Sequence, residues 1–278
     1  MKVTSTVKKI LSSYDSENYG VKTNLSRILM QGKLAGTGRL IILPVDQGFE
    51  HGPDRSFAVN TPAYDPLYHC QLAIDAGLSA YAAPLGMLQA GVESFYGQIP
   101  TILKINSSNT LAQSMDQAVT GSVDDAIKMG CSAIGFTIYP GSDHNFDLME
   151  EFRQLSKEAK DKGLAVVLWA YARGKEISKQ GETAMNIISY AAHMSALLGA
   201  NIIKVKLPTD FIEDDPTKVA FEKKLIEIGS LSDRVAHIKK VAFAGKRIVV
   251  FSGGDTKDDN ALMDEIKAIH HGGGNGSI

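Results

Sequence analysis

Apolar residues along this chain gather in short continuous runs rather than alternating with polar ones, and the runs recur behind a small residue. AGLSAYA starts at 76, MGCSAIGF at 129, KGLAVVLW at 162, LGANIIKV at 198 and AGKRIVVF at 244, and HGGGNGSI at 271 resembles the start of another. A glycine followed at once by such a run reads as a helix C-terminus leading into a buried strand. Stretches with helical character precede most of them: PLYHCQLAIDAG, SVDDAIKMG, FDLMEEFRQLSKEAKDKG and TAMNIISYAAHMSALLG. With LIILPV at 40–45 and TILKIN at 101–106, the pattern predicts eight strands separated by helices.

Strands that are apolar throughout need cover on both faces, which a parallel sheet wrapped in helices supplies. A doubly wound sheet and a closed barrel both meet that condition. Eight units with no GxGxxG after the first strand predict the barrel, an α/β fold of (β/α)8 TIM type. Residues 1–37 are expected to form an N-terminal helical extension of the same domain, on the outside or across the bottom. Residues 38–278 are expected to form the barrel. No linker or low-complexity segment divides the chain. The sequence reaches Ile278 inside the eighth strand, so that strand is expected to be cut short.

Composition narrows the partners. The net charge is −2 with mixed signs and no basic run, so nucleic acid is not expected. No apolar stretch is long enough for a membrane span, and MKVTSTVKKILSSYDSEN lacks the apolar segment of a signal peptide. Cys70 and Cys131 are isolated, which predicts buried free thiols in a cytoplasmic protein.

A barrel of this type carries its active site at the C-terminal ends of its strands. Polar residues concentrate there. They are Asp46, Glu50 and His51 after strand 1, Lys104 and Asn106 at strand 3, Tyr139 and Ser142 after strand 4, and Trp169, Tyr171 and Arg173 at strand 5. Strand 6 ends in KVK and strand 7 in FSGGDTK.

Lys204 and Lys206 lie two residues apart in NIIKVKLPTD, so both side chains point to one face, about 6–7 Å apart along the strand. Ile203 and Val205 are needed against the helices, which turns the lysines inward. Inside a barrel an amine loses hydration, and a second cation disfavours its protonation further. Both effects favour the neutral amine that imine formation requires. Two other roles fit the same spacing: pairing with an inward carboxylate such as Asp46, or phosphate binding by two fixed charges.

Period two also turns Trp169, Tyr171 and Arg173 inward. A tyrosine beside cations can release and recover its proton, as general acid–base chemistry at carbon requires. Trp169 fits a core filler or a substrate wall, and Arg173 a phosphate clamp or the partner of a rim acid. Asp46 fits a group that orients Lys204 or accepts substrate hydroxyls, or a cap of the next loop. Ser252, Gly253 and Gly254, past strand 7, fit a phosphate site made by glycine amides and a hydroxyl.

LAGTGRLIILPVDQGFEHGP, TIYPGS, VVLWAYARG, GANIIKVK and FSGGDTK together resemble the archaeal-type class I fructose-1,6-bisphosphate aldolases, also found in bacteria. The motifs stand in family order from about residue 34 onward. The resemblance implies that Lys204 forms a Schiff base, Tyr171 donates a proton and Asp46 assists at the imine. It also implies that Gln47, His51, Trp169, Arg173, Lys206 and the Ser252–Gly254 loop contact the substrate or its phosphates. The implied reaction is reversible, metal-independent cleavage of fructose 1,6-bisphosphate in glycolysis and gluconeogenesis, without a cofactor. The implied assembly is a homo-oligomer. The histidines agree on metal, since only the adjacent His270 and His271 cluster, and their spacing is poor for one ion.

The Gly-Arg stretch that follows strand 8 in the family has no counterpart before Ile278, so the second half of the phosphate site has no assigned residues. Three alternatives stand beside the aldolase. One is a Schiff-base aldolase or transaldolase-like synthase acting on another phosphorylated sugar. The others are a non-catalytic phosphosugar-binding barrel and a zinc-dependent class II aldolase. Glu50, His51 and Trp169 favour the fructose-bisphosphate branch.

Overall fold

The structure, a computed structural model, describes residues 2–95, 97–252 and 258–278. Eight parallel strands close a barrel: β1 (Leu40–Pro44), β2 (Ala80–Pro84), β3 (Thr101–Lys104), β4 (Ala133–Ile138), β5 (Ala165–Ala170), β6 (Ile202–Lys206), β7 (Ile248–Ser252) and β8 (Gly276–Ser277). Hydrogen bonding runs in the order β1-β8-β7-β6-β5-β4-β3-β2. The chain divides into two compact units, Met1–Thr137 with Asp147–Val167, and Ile138–Phe146 with Leu168–Ile278. Among the described residues no helix is long and apolar enough to cross a membrane.

β2, β4 and β5 are buried at every residue, the two-sided cover that continuous apolar runs anticipate. The recurrent glycine has a conformational cause. Gly77, Gly130, Gly163, Gly199 and Gly245 all hold φ between 67° and 84°, where the chain leaves a helix and reverses into a strand. A side chain is strained there and glycine is not.

Two elements differ from the sequence reading. TILKIN is not one strand: β3 stops at Lys104, and Asn106–Ser107 pairs antiparallel with Ala118–Val119 in a separate two-stranded sheet. The side chain of Asn106 replaces the backbone ladder. It donates to the Thr137 carbonyl at 2.9 Å and accepts from the Thr137 amide at 2.8 Å, so the main chain can turn away. The eighth strand is short, as expected, yet Gly276 and Ser277 pair with Val250 and Phe251 and the barrel closes. Asn275 extends that pairing by one residue. Its amide donates to the Val249 carbonyl at 2.8 Å, and its side-chain oxygen accepts from the Val249 amide at 3.0 Å.

The N-terminal extension contains helices Ser5–Leu11 and Tyr19–Leu29. Asn24 donates to the Gly163 carbonyl at 2.8 Å, Lys160 pairs with Glu17 at 2.6 Å, and the Lys33 amide donates to the Gly77 carbonyl at 2.7 Å. These contacts fall just before β5 and β2. The extension therefore docks at the N-terminal ends of those strands and leaves their C-terminal ends clear.

Cys70 and Cys131 are free and buried, and burial pushes each thiol up to about 11. The thiolate is the reactive form, so both are held inert. The native protein is expected to resist a thiol-specific disulfide reagent at neutral pH and to react at both cysteines once unfolded. Rapid labelling of the native protein would contradict this.

Candidate active site

Lys204 lies on the fully buried part of β6 and is 6% exposed. Its Nζ stands 5.7 Å from the ring centre of Trp169 and 5.5 Å from that of Tyr171. The period-two reading of β5 thus brings both aromatic faces to the lysine that β6 turns toward them. Aromatic faces attract cations, so these two rings favour an ammonium or an iminium ion at this nitrogen. The phenol of Tyr171 adds a proton source within the same cluster.

Lys206, two residues on, donates to Glu182 at 2.9 Å, and Lys179 reaches the other oxygen of that carboxylate at 3.0 Å. Burial pushes the Glu182 carboxyl up, but hydrogen bonds and charge from Lys206 and Lys179 outweigh it and hold the group below its ordinary range. Lys206 is therefore a countered cation, and its charge bears on Lys204 less than the sequence alone implies. Glu182 sits in a 3-10 turn, Gly181–Thr183, inside the long loop after β5. That loop is pinned to the one after β6. Glu213 accepts from the amide and hydroxyl of Ser178 at 2.8 and 2.9 Å, and the Met185 amide donates to the Phe211 carbonyl at 2.7 Å. Glu182 carries no signal in the sequence, because a carboxylate in mid-loop has no periodicity to mark its partner.

Arg173 lays its guanidinium over the Tyr139 ring at 5.0 Å. The loops after β4 and β5 join through their backbones: the Tyr171 amide donates to Ile138 at 3.1 Å and the Arg173 amide to Pro140 at 2.9 Å. A Cβ on Gly174 would lie 1.9 Å from the carbonyl oxygen of Gly141, which itself holds φ at +92°. The glycines of TIYPGS and YARG thus permit two main chains to touch. Gly174→Ala is expected to destabilise the protein by about 1–3 kcal/mol or more, as overpacking does. Thermal unfolding checks this, and a wild-type melting temperature would show that the loops separate freely.

Asp46 follows β1 at the N-cap of Gln47–Glu50, yet its side chain makes no capping bond. Its Oδ2 lies 4.0 Å from Nζ of Lys104, at the end of β3. Lys104 is 3% exposed and donates to the Asn106 carbonyl, with Asn106 Oδ1 at 3.4 Å and Gln117 Oε1 at 3.5 Å. Burial pushes its ammonium down, and the charges of Asp46 and Glu50 oppose that. His51 is exposed, with Nε2 at 4.0 Å from Glu50, and Gln47 is exposed beside it.

Ser252 closes β7 opposite Lys206 in the strand register. Gly253 and Gly254, the rest of the sequence-based phosphate loop, lie outside the described residues. Among the described residues no three His, Cys, Asp or Glu side chains gather to hold a metal ion.

Comparison with known proteins adds to this geometry. Residues 40–278 match the family model described as DeoC/LacD family aldolase. The chain is 32% identical over 272 residues to a probable class 1 fructose-bisphosphate aldolase of Chlamydia muridarum, covering 94% of this chain and 77% of that one. It is 33% identical over 242 residues to the class 1 fructose-bisphosphate aldolase of Thermoproteus tenax, covering 86% and 81%. A solved archaeal fructose-1,6-bisphosphate aldolase, its catalytic lysine covalently bound to the carbinolamine intermediate of the substrate, superposes with a TM-score of 0.72. That likeness is at 31% identity over 86% of this chain and 85% of the other.

Proposed function

The chain belongs to the DeoC/LacD family of aldolases, and from that membership we propose that it is a class I fructose-1,6-bisphosphate aldolase with Lys204 as its nucleophile. The observation that carries the residue assignment is the buried amine of Lys204 beside the rings of Trp169 and Tyr171.

Neutral Lys204 adds to the C2 carbonyl of the open-chain bisphosphate, and loss of water leaves an iminium ion that draws electrons from C3. Loss of the proton on the C4 hydroxyl breaks the C3–C4 bond and releases glyceraldehyde 3-phosphate. Tyr171 protonates C3 of the remaining enamine, and hydrolysis of the imine returns the amine and frees dihydroxyacetone phosphate. The rings of Trp169 and Tyr171 stabilise the iminium cation through their faces. No step in this sequence requires a metal or a cofactor.

The remaining roles follow the motif resemblance and the position of each residue at or just past a strand end. Asp46 assists at the imine, while Gln47, His51, Trp169 and Arg173 contact the sugar or a phosphate. Lys206 and the Ser252–Gly254 loop bind phosphate, and Glu182 then shares Lys206 with the incoming anion. The same reading assigns the reaction to glycolysis and gluconeogenesis in the cytoplasm, with the chain as one subunit of a homo-oligomer. Borohydride reduction in the presence of dihydroxyacetone phosphate, followed by peptide mass mapping, tests the assignment. A stable adduct on Lys204 supports it, and absence of any adduct favours a non-catalytic binder.

A further inference from the structure

Lys104 has no step in the reaction above, yet it is a charged group buried almost completely at a strand end. A buried ammonium carries a desolvation cost that an apolar residue of the same size avoids. Its surroundings indicate what it does. The Asn106 carbonyl, Asn106 Oδ1 and Gln117 Oε1 lie on the ammonium as acceptors. Asn106 is fixed in turn by both bonds to Thr137 at the end of β4. Gln117 is 4% exposed, so this acceptor shell is itself packed. With these acceptors beside it, the ammonium faces Asp46 at 4.0 Å. Asp46 lacks the capping bond that would otherwise fix its side chain.

We propose that Lys104 is a positioning residue for Asp46, holding the carboxylate by charge at the end of β1 while Asn106 and Gln117 hold the lysine. Burial pushes the ammonium down, and the charges of Asp46 and Glu50 oppose that. The inference rests on the reading that Asp46 acts at the imine.

Four variants test it: Asp46→Asn, Lys104→Met, their combination, and Gln117→Glu. Each is followed by kcat and KM for fructose 1,6-bisphosphate and by thermal melting. Asp46→Asn and Lys104→Met are each expected to lower kcat by about 10–100-fold with KM changed by less than about threefold, the pattern of an interaction used after binding. The double variant is expected to be no worse than the weaker-turnover single variant within about threefold, because both remove one unit. Gln117→Glu keeps the side-chain shape and sets a competing anion near Nζ, 3.5 Å from it in the native side chain. It is expected to lower kcat at a near-native melting temperature, and it decides the question if Lys104→Met does not fold. Losses that multiply in the double variant, or native kcat in Lys104→Met or Gln117→Glu, would overturn the proposal. Native kcat in Asp46→Asn would show instead that the reading of Asp46 is wrong, and the positioning role falls with it.

Discussion

Lys204→Met is expected to abolish the borohydride-stable adduct and to reduce cleavage of fructose 1,6-bisphosphate to background. Methionine fills nearly the same volume, so the packing beside Trp169 and Tyr171 survives while the amine is lost. In the unsubstituted protein the adduct is expected at Lys204 and at neither of two other lysines near the strand ends. An amine needs a free lone pair to attack a carbonyl. Lys206 donates to Glu182 at 2.9 Å, so its nitrogen is already engaged with a carboxylate. Lys104 has Asn106 and Gln117 as acceptors and Asp46 opposite. An adduct mapped to Lys104 or Lys206, or turnover retained in Lys204→Met, would remove the nucleophile from β6.

Tyr171→Phe is expected to separate imine formation from turnover. The ring face that Nζ of Lys204 meets at 5.5 Å is kept, so the iminium should still form and be trapped. Only the proton is lost. Steady-state cleavage should then fall by about 10²–10⁴-fold, the usual contribution of a positioned general acid or base. Near-native turnover would move proton transfer to another group, with Glu50 or a water next in line. Loss of trapping as well as turnover would mean that the phenol acts before the imine, during attack or dehydration.

Much of this was readable in the chain because the relevant spacing is short and periodic. Period two along VVLWAYARG and NIIKVK faces Trp169 and Tyr171 toward Lys204, and the glycine before each apolar run marks a helix end that turns through positive φ. What escaped depends on contacts between loops, where no repeat exists. Glu182 reaches Lys206 across 24 positions, and nothing in KQGETAMN marks it as the partner. TILKIN reads as one strand because Asn106 looks like its polar end. Only its side-chain bonds to Thr137 explain why the main chain leaves the barrel there. The same limit applies to Gly174, whose need for glycine arises from a carbonyl 33 positions earlier in the numbering, at Gly141.

That backbone contact has a practical consequence for anyone redesigning the substrate range. Because Gly141 and Gly174 touch through main-chain atoms, the segments bearing Tyr139 and Arg173 cannot be lengthened, shortened or reshaped independently. Arg173 also stacks on the Tyr139 ring at 5.0 Å, so the two side chains form a single unit of variation. A library that keeps both glycines and randomises positions 139 and 173 as a pair should yield more folded variants than one that scans either loop alone.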